Sequence, residues 1–310
     1  MLSVTTERPL AVRPVRRLTV ALVLAGSLIA ACAEEDTGPD PGTGELLFTS
    51  NRILGQYDVF VLDLADRAQR RITDTLAFDF WPSWSPDGAR IVFYSDRAVN
   101  ADTLFDLDIF IMNADGTGAY QLTSHDSADA QPEWSPDGTK IAFSSNRSGN
   151  SEIYVVNTDG SGLVQLTVHA AGDGQPAWSP DGTRIAFASD RDGDADIFTM
   201  SAVDGSGVVQ LTTNTDTDLG PAWSPDGSRI AFHSDSTGGF AIYVMNADGS
   251  GKVRLTDGGV PDELAHWSPD GTRLAYDSQG DLFVLWLDGR GAARVAGDDV
   301  NAYFRPRWRP

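Results

Sequence analysis

The chain has 310 residues, 41% of them hydrophobic, with 44 acidic against 23 basic side chains and a net charge of −21. That length suits one large domain or two small ones. An acid excess of this size excludes a nucleic-acid binder, whose phosphate contacts need a basic surface, and favours solubility and cationic partners.

In chain order, residues 13–17 (RPVRR) are basic, and residues 18–31 (LTVALVLAGSLIAA) form an apolar run of 14. A membrane-spanning helix needs about 20 apolar residues. A basic stretch, a short apolar core and then small residues match an export signal instead, so residues 1–31 are expected to be a signal peptide. Those residues hold four Arg and one Glu; the remainder carries 19 basic and 43 acidic residues, a net charge of −24. The single cysteine, Cys32, closes the stretch LIAAC. This resembles the lipobox of bacterial lipoproteins, which implies cleavage before Cys32 and lipid on its thiol. Each buried methylene contributes about 0.8 kcal/mol, so two or three acyl chains would anchor firmly. With one cysteine, no intramolecular disulfide can form. Residues 33–44 (AEEDTGPDPGTG) lack large apolar side chains, so 32–44 is read as the lipidated cysteine and an acidic Pro/Gly tether reaching at most about 40 Å.

The rest, 45–310, is repetitive. Trp84, Trp134, Trp178, Trp223 and Trp267 each open a WSPDG, at spacings of 50, 44, 45 and 44, and Trp308 follows 41 residues later. Such periods signal propellers or solenoids. One unit reads as four strands: 176–180, a DG hairpin turn at 181–182 whose two residues both tolerate positive φ, 183–189, 196–202, a second DG at 204–205, and 208–212. Ile185 and Phe187 share one face of the second strand and Ala186 takes the other, so both faces should be buried. Small sheets buried on both faces and repeated about an axis make an all-β propeller. Residues 45–73 supply a second, third and fourth strand with no first one, and 302–310 supply a first strand alone. The expected fold is therefore a six-bladed β-propeller, four strands per blade, its first blade closed by the C-terminal strand. With these residues in view, 45–310 resembles the TolB-like family of six-bladed propellers, whose repeats carry W-S-P-D-G. The resemblance implies the fold. TolB itself is a soluble periplasmic protein with an α/β domain before its propeller, where this chain has the tether and lipobox-like stretch.

Strand parity puts the first-to-second and third-to-fourth turns on one face, called lower here, and the other loops on the upper face. The lower face holds the DG aspartates, read as turn chemistry. On the upper face an Asp precedes each of the first five repeat tryptophans by five residues: Asp79, Asp129, Asp173, Asp218 and Asp262, with Tyr303 in the sixth place. Arg52, Arg97, Arg147 and Arg191 sit in the second-to-third turns of blades 1 to 4. These repeated groups read either as ion pairs within blades or as an acidic ring with a more basic sector. The alternating Asp190, Asp192, Asp194 and Asp196 lack the Gly and Glu of an EF-hand and read as turn. His125 and His169, at equivalent loop positions, are the only pair suggesting a metal, and surface histidines are the simpler reading.

Irregularities mark binding better than repeats do. Blade 2 has a six-residue insertion containing Phe105; the loops before blades 2 and 1 add Phe78, Phe80, Trp81, Tyr303 and Phe304. With Arg52, these define an expected partner-binding sector over blades 6, 1 and 2. The resulting expectation is a monomeric, non-catalytic protein- or peptide-binding module, without cofactor, metal or nucleic acid, anchored to a bacterial membrane by Cys32 and facing the periplasm or cell surface. The alternative is a metal-dependent polysaccharide lyase or hydrolase acting at the upper channel mouth.

Overall fold

The computed structural model describes residues 40–53, 55–97, 107–297 and 302–310. Cys32, the signal stretch, most of the tether and Phe105 lie outside the described residues. Every regular element among the described residues is a strand, and the 24 strands form six four-stranded antiparallel sheets. Five sheets are consecutive. Blade 4, for example, contains β12 (Asp173–Trp178), β13 (Arg184–Ser189), β14 (Asp196–Ser201) and β15 (Val209–Gln210). The sixth joins the two ends: β24 (Tyr303–Trp308) pairs with β1 (Glu45–Ile53), which continues into β2 (Gln56–Asp63) and β3 (Gln69–Arg71). β24 also packs on β21 (Arg273–Ser278) of blade 6 and β4 (Asp79–Trp84) of blade 2, closing a six-bladed propeller by its C-terminal strand.

The apolar core falls into six clusters, one between each pair of neighbouring blades. Phe48, Phe93, Phe143, Phe187 and Phe232 are fully buried, and each of the last four stacks on an aromatic of the neighbouring third strand. The repeat tryptophans lie at the lower ends of the inner strands. Arg90 covers Trp134, Arg184 covers Trp223, Arg229 covers Trp267 and Arg273 covers Trp308, each with its guanidinium 4.5–4.7 Å from a ring of the next blade. Where β1 opens with Glu45 in place of that arginine, Arg309 pairs with Glu45 and covers Trp84. Blade 3 has Lys140 there, and Trp178 is the one repeat tryptophan left half-buried, beside a cleft of about 340 Å³.

The WSPDG turn differs from the hairpin expected. Only the glycine takes positive φ: Gly182 is at 70°, whereas Asp181 is not left-handed. The aspartate works through its side chain. Asp181 Oδ1 accepts from Ser179 Oγ and the Thr183 backbone N–H, while Ser179 Oγ accepts from Arg184 N–H. In blade 5 the same contacts, Ser224 first, hold Asp226 down at about 2. The outermost strand is also shorter than expected, two residues in blades 2 to 5.

Candidate functional site: the channel and its two mouths

The six inner strands run side by side around the axis and begin three residues earlier than the sequence suggested. Each carries a bulge. In blade 4 the register jumps between Gly174/Ala188 and Ala177/Ala186, leaving Gln175 and Pro176 opposite Phe187. The bulge residue is left-handed in every blade: Trp81, Gln131, Gln175, Gly220, Leu264 and Arg305 have φ between 54° and 64°. A proline follows in five of them. It has no N–H for the ladder, which makes a bulge the accommodating geometry.

These bulges are knitted together across blades. Gln131 Oε1 accepts from Gln175 N–H (2.8 Å), and Gln175 Oε1 accepts from Gly220 N–H (2.7 Å). His233 Nδ1 accepts from Leu264 N–H (3.3 Å), and Asp277 faces the backbone N–H of Arg305. Burial holds His233 neutral, near 3, and burial together with Glu263 lifts Asp277 well above the usual carboxylate range. The acceptors therefore run from blade 3 to blade 6 and stop at blade 1. There Arg305 lies over the Trp81 ring at 3.4 Å and 3.7 Å from Glu133 Oε2, with Arg307 at 3.1 Å from the same oxygen. Together with Leu264, Trp81, Arg305 and Arg307 leave a mid-channel cavity of about 10 Å³, room for one water.

The upper mouth carries an aromatic cluster over blades 1 and 2. Tyr57 of β2 lies 4.5 Å from Phe80, 6.1 Å from Phe304 and 6.2 Å from Phe78; Phe80 stacks on Tyr94 at 5.9 Å. Phe78 is 42% exposed and Leu76 85%, while Tyr57, Phe80, Tyr94 and Phe304 are half-buried. Other residues expected in this sector are placed differently. Tyr303 is buried, stacked on Phe48 at 5.5 Å, because it occupies the first position of an inner strand. Trp81 belongs to the channel rather than to a loop. Arg52 lies over Phe60 at 4.4 Å and donates to Gln69.

The expected acidic ring is not a surface. Asp79, Asp129, Asp173, Asp218 and Asp262 are all buried, each at the start of an inner strand. Arg97, Arg147 and Arg191 pair with the first three at 2.6–2.9 Å, and Lys252 stands 3.9 Å from Asp218. The repeated residues thus serve the blades. His125 and His169 are exposed and turn back on their own loops, each Nδ1 accepting a backbone N–H two residues on. Among the described residues one group of three acid or imidazole ligands converges, Asp192, Asp194 and Asp196, within 4.8 Å. The turn reading of this stretch did not foresee that convergence. Burial and then the Asp192 charge raise Asp196 to about 6.

The lower mouth is a vestibule of about 350 Å³ that sequence reading missed. Five repeat tryptophans and the six prolines of the WSP steps and the C-terminus form its wall; Ser83, Glu133, His266 and Arg307 line its polar part. Aligning the six copies at the residue immediately before each tryptophan would have exposed the polar set: Ser83, Glu133, Ala177, Ala222, His266 and Arg307.

The family model for the TolB β-propeller domain matches residues 168–292, and that for the N-terminal β-propeller of tricorn protease matches 104–193. Among solved structures, TolB from Acinetobacter baumannii is 21% identical with a TM-score of 0.73, over 86% of this chain and 67% of its own. A TolB-type protein from Agrobacterium tumefaciens is 22% identical with a TM-score of 0.67, over 87% and 100%. An oligogalacturonate lyase in complex with manganese is 17% identical with a TM-score of 0.59, over 84% and 76%. No curated protein sequence matches the chain. The chain is a TolB-like β-propeller in fold.

Proposed function

We propose that the chain is an exported, lipid-anchored propeller of the bacterial envelope that binds a peptide or flexible protein tail at the upper mouth without catalysing a reaction. The aromatic cluster of Tyr57, Phe78, Phe80 and Phe304 carries this reading. It is partly exposed, and aromatic side chains contribute large contact areas at low entropic cost. The TolB-like fold supports a protein-binding role in the envelope at a coarse level, and LIAAC supports the anchor at Cys32. The manganese-bound lyase neighbour shares the fold, but His125 and His169 here fold back on separate loops, which favours the binding reading over a metal-dependent lyase.

The test is to capture the partner by crosslinking in intact cells and measure its affinity for Phe78→Ala and Phe80→Ala. A loss of about 1–3 kcal/mol in each is expected. Unchanged affinity in both would move the site elsewhere. Separately, Cys32→Ser should shift the protein from the membrane to the soluble fraction; a wild type already soluble would refute the anchor.

A further inference from the structure

The lower vestibule has an apolar wall and an unbalanced polar end. Arg305 and Arg307 are only 4% and 6% exposed, yet they share one carboxylate, Glu133. Arg305 Nε and Nη1, Arg307 Nε and His266 Nδ1 have no hydrogen-bond partner. Glu133 Oε2, although within 3.1 Å of Arg307, also lacks an aligned hydrogen bond. A guanidinium stays protonated in proteins, so this end holds two buried positive charges against one negative. Burial and Arg307 push Arg305 well below its ordinary value, and burial followed by the two arginines keeps His266 neutral. Buried charge of this kind is stable only when paired and hydrogen-bonded. One further carboxylate would balance the count, and within the vestibule it would meet Arg307, the one of the two arginines that lines the cavity, since guanidinium and carboxylate fit as bidentate partners. The cavity, about 350 Å³ with indole and pyrrolidine walls, falls at the small end of small-molecule sites, which pair apolar linings with a few convergent polar groups.

We propose that the lower vestibule binds a small organic acid with a flat apolar body, its carboxylate held by Arg307 with Arg305 behind it and its body lying between the tryptophans and prolines. This site is at the opposite end of the channel from the aromatic cluster and does not depend on the reading of the upper mouth. The pairing of an apolar wall with an anion-seeking end distinguishes the ligand from a simple inorganic anion, which would need the arginines alone.

The test is calorimetry on the full chain with sodium benzoate, with sodium acetate as the apolar-free comparison. Benzoate should bind with a Kd of about 1 mM or tighter. Acetate should be at least about tenfold weaker, because it leaves the indole wall uncovered. Arg307→Gln should weaken benzoate at least about tenfold, whereas Arg290→Gln, which removes an equal charge from the exposed Arg290–Asp288 pair, should leave it unchanged. Absence of benzoate binding overturns the proposal, as does equal binding of acetate or equal loss in both variants. If Arg307→Gln does not fold, crystals of the wild type soaked in 4-bromobenzoate decide: a bromine anomalous peak in the vestibule supports the site, and a peak elsewhere or none overturns it.

Discussion

Blades 3 and 4 and blade 1 solve the same packing problem with different residues. In blades 3 and 4 a buried aspartate opens the inner strand and takes an arginine from the neighbouring upper turn, Asp129 with Arg147 and Asp173 with Arg191. In blade 1, whose inner strand comes from the other end of the chain, Tyr303 replaces the aspartate, stacks on Phe48 and leaves Arg52 to Phe60 and Gln69. The interblade acceptors stop at the same seam, where Arg305 meets Trp81. Repetition therefore marks what every blade needs, and departures gather where the ring is joined. The aromatic upper cluster and the arginine pair both lie at that join.

The largest expected effect tests the join itself. Trp308 is 3% exposed, packed in the same core cluster as Leu46 and Trp286 and covered by Arg273. Trp308→Ala should cost about 3–5 kcal/mol in urea denaturation. A loss under 1 kcal/mol, against that ~3–5 kcal/mol scale, would mean that blade 1 holds without its inner strand.

Next comes the contrast between blades. Arg147→Met leaves Asp129 buried without its partner. Because the arginine is itself partly solvated, the cost should be about 2–4 kcal/mol, at the lower side of broken buried pairs. Arg52→Met in blade 1 strands no carboxylate and should cost about 1 kcal/mol or less. Equal costs would erase the distinction drawn between the two blades.

A smaller gain is expected at the one blade that departs from the arginine-over-tryptophan rule. Lys140→Arg should cover Trp178 and raise stability by about 0.5–1 kcal/mol, read as a higher melting temperature and reduced quenching of Trp178 fluorescence.

The smallest effect concerns pH. The folded state holds the Asp196 proton up to about 6, against 3.8 for the free side chain. Ionising it therefore costs stability as pH climbs between those values; the cost is absent below 3.8 and complete above about 6. Asp192→Asn removes one repulsive neighbour, so it should add about 0.5 kcal/mol near neutral pH and nothing in acid. A gain that is the same at both ends of that range would show that the carboxylates do not interact.

The propeller was legible in the sequence because its signals are local and repeated: WSPDG for the lower turns, apolar second and third strands for the layers, and incomplete first and last units for the closure. The aspartates of these turns were legible as turn chemistry; what was not legible is that Asp181 also takes the Ser179 hydroxyl and leaves the left-handed conformation to Gly182 alone. Phe78 and Phe80 were found because they interrupt a polar loop. Tyr57 was missed because it looks like part of an ordinary strand, and Tyr303 was misplaced because the inner strand begins earlier than its WSP segment. Glu133 and Arg307 occupy the same repeat position and an alignment of the copies would have shown them; what escaped is that they meet across the channel, since that depends on blades 1 and 3 both adjoining blade 2 around the ring.

The pairing of Leu46 with Trp308 has a kinetic consequence. Each lower hairpin closes a short loop, Trp178 with Ile185 for instance. Bringing β24 to β1 closes almost the entire chain, and the logarithmic cost of loop length makes that step about 3 kcal/mol harder in entropy. Five blades can form from neighbouring segments while β1 waits with one edge unsatisfied. Refolding should therefore end in a slow step, because the edge of β1 cannot be buried until residues 303–308 have joined it. Until β24 arrives, the open edge of β1 is a template for pairing with other chains, so aggregation during refolding should fall as the slow step completes.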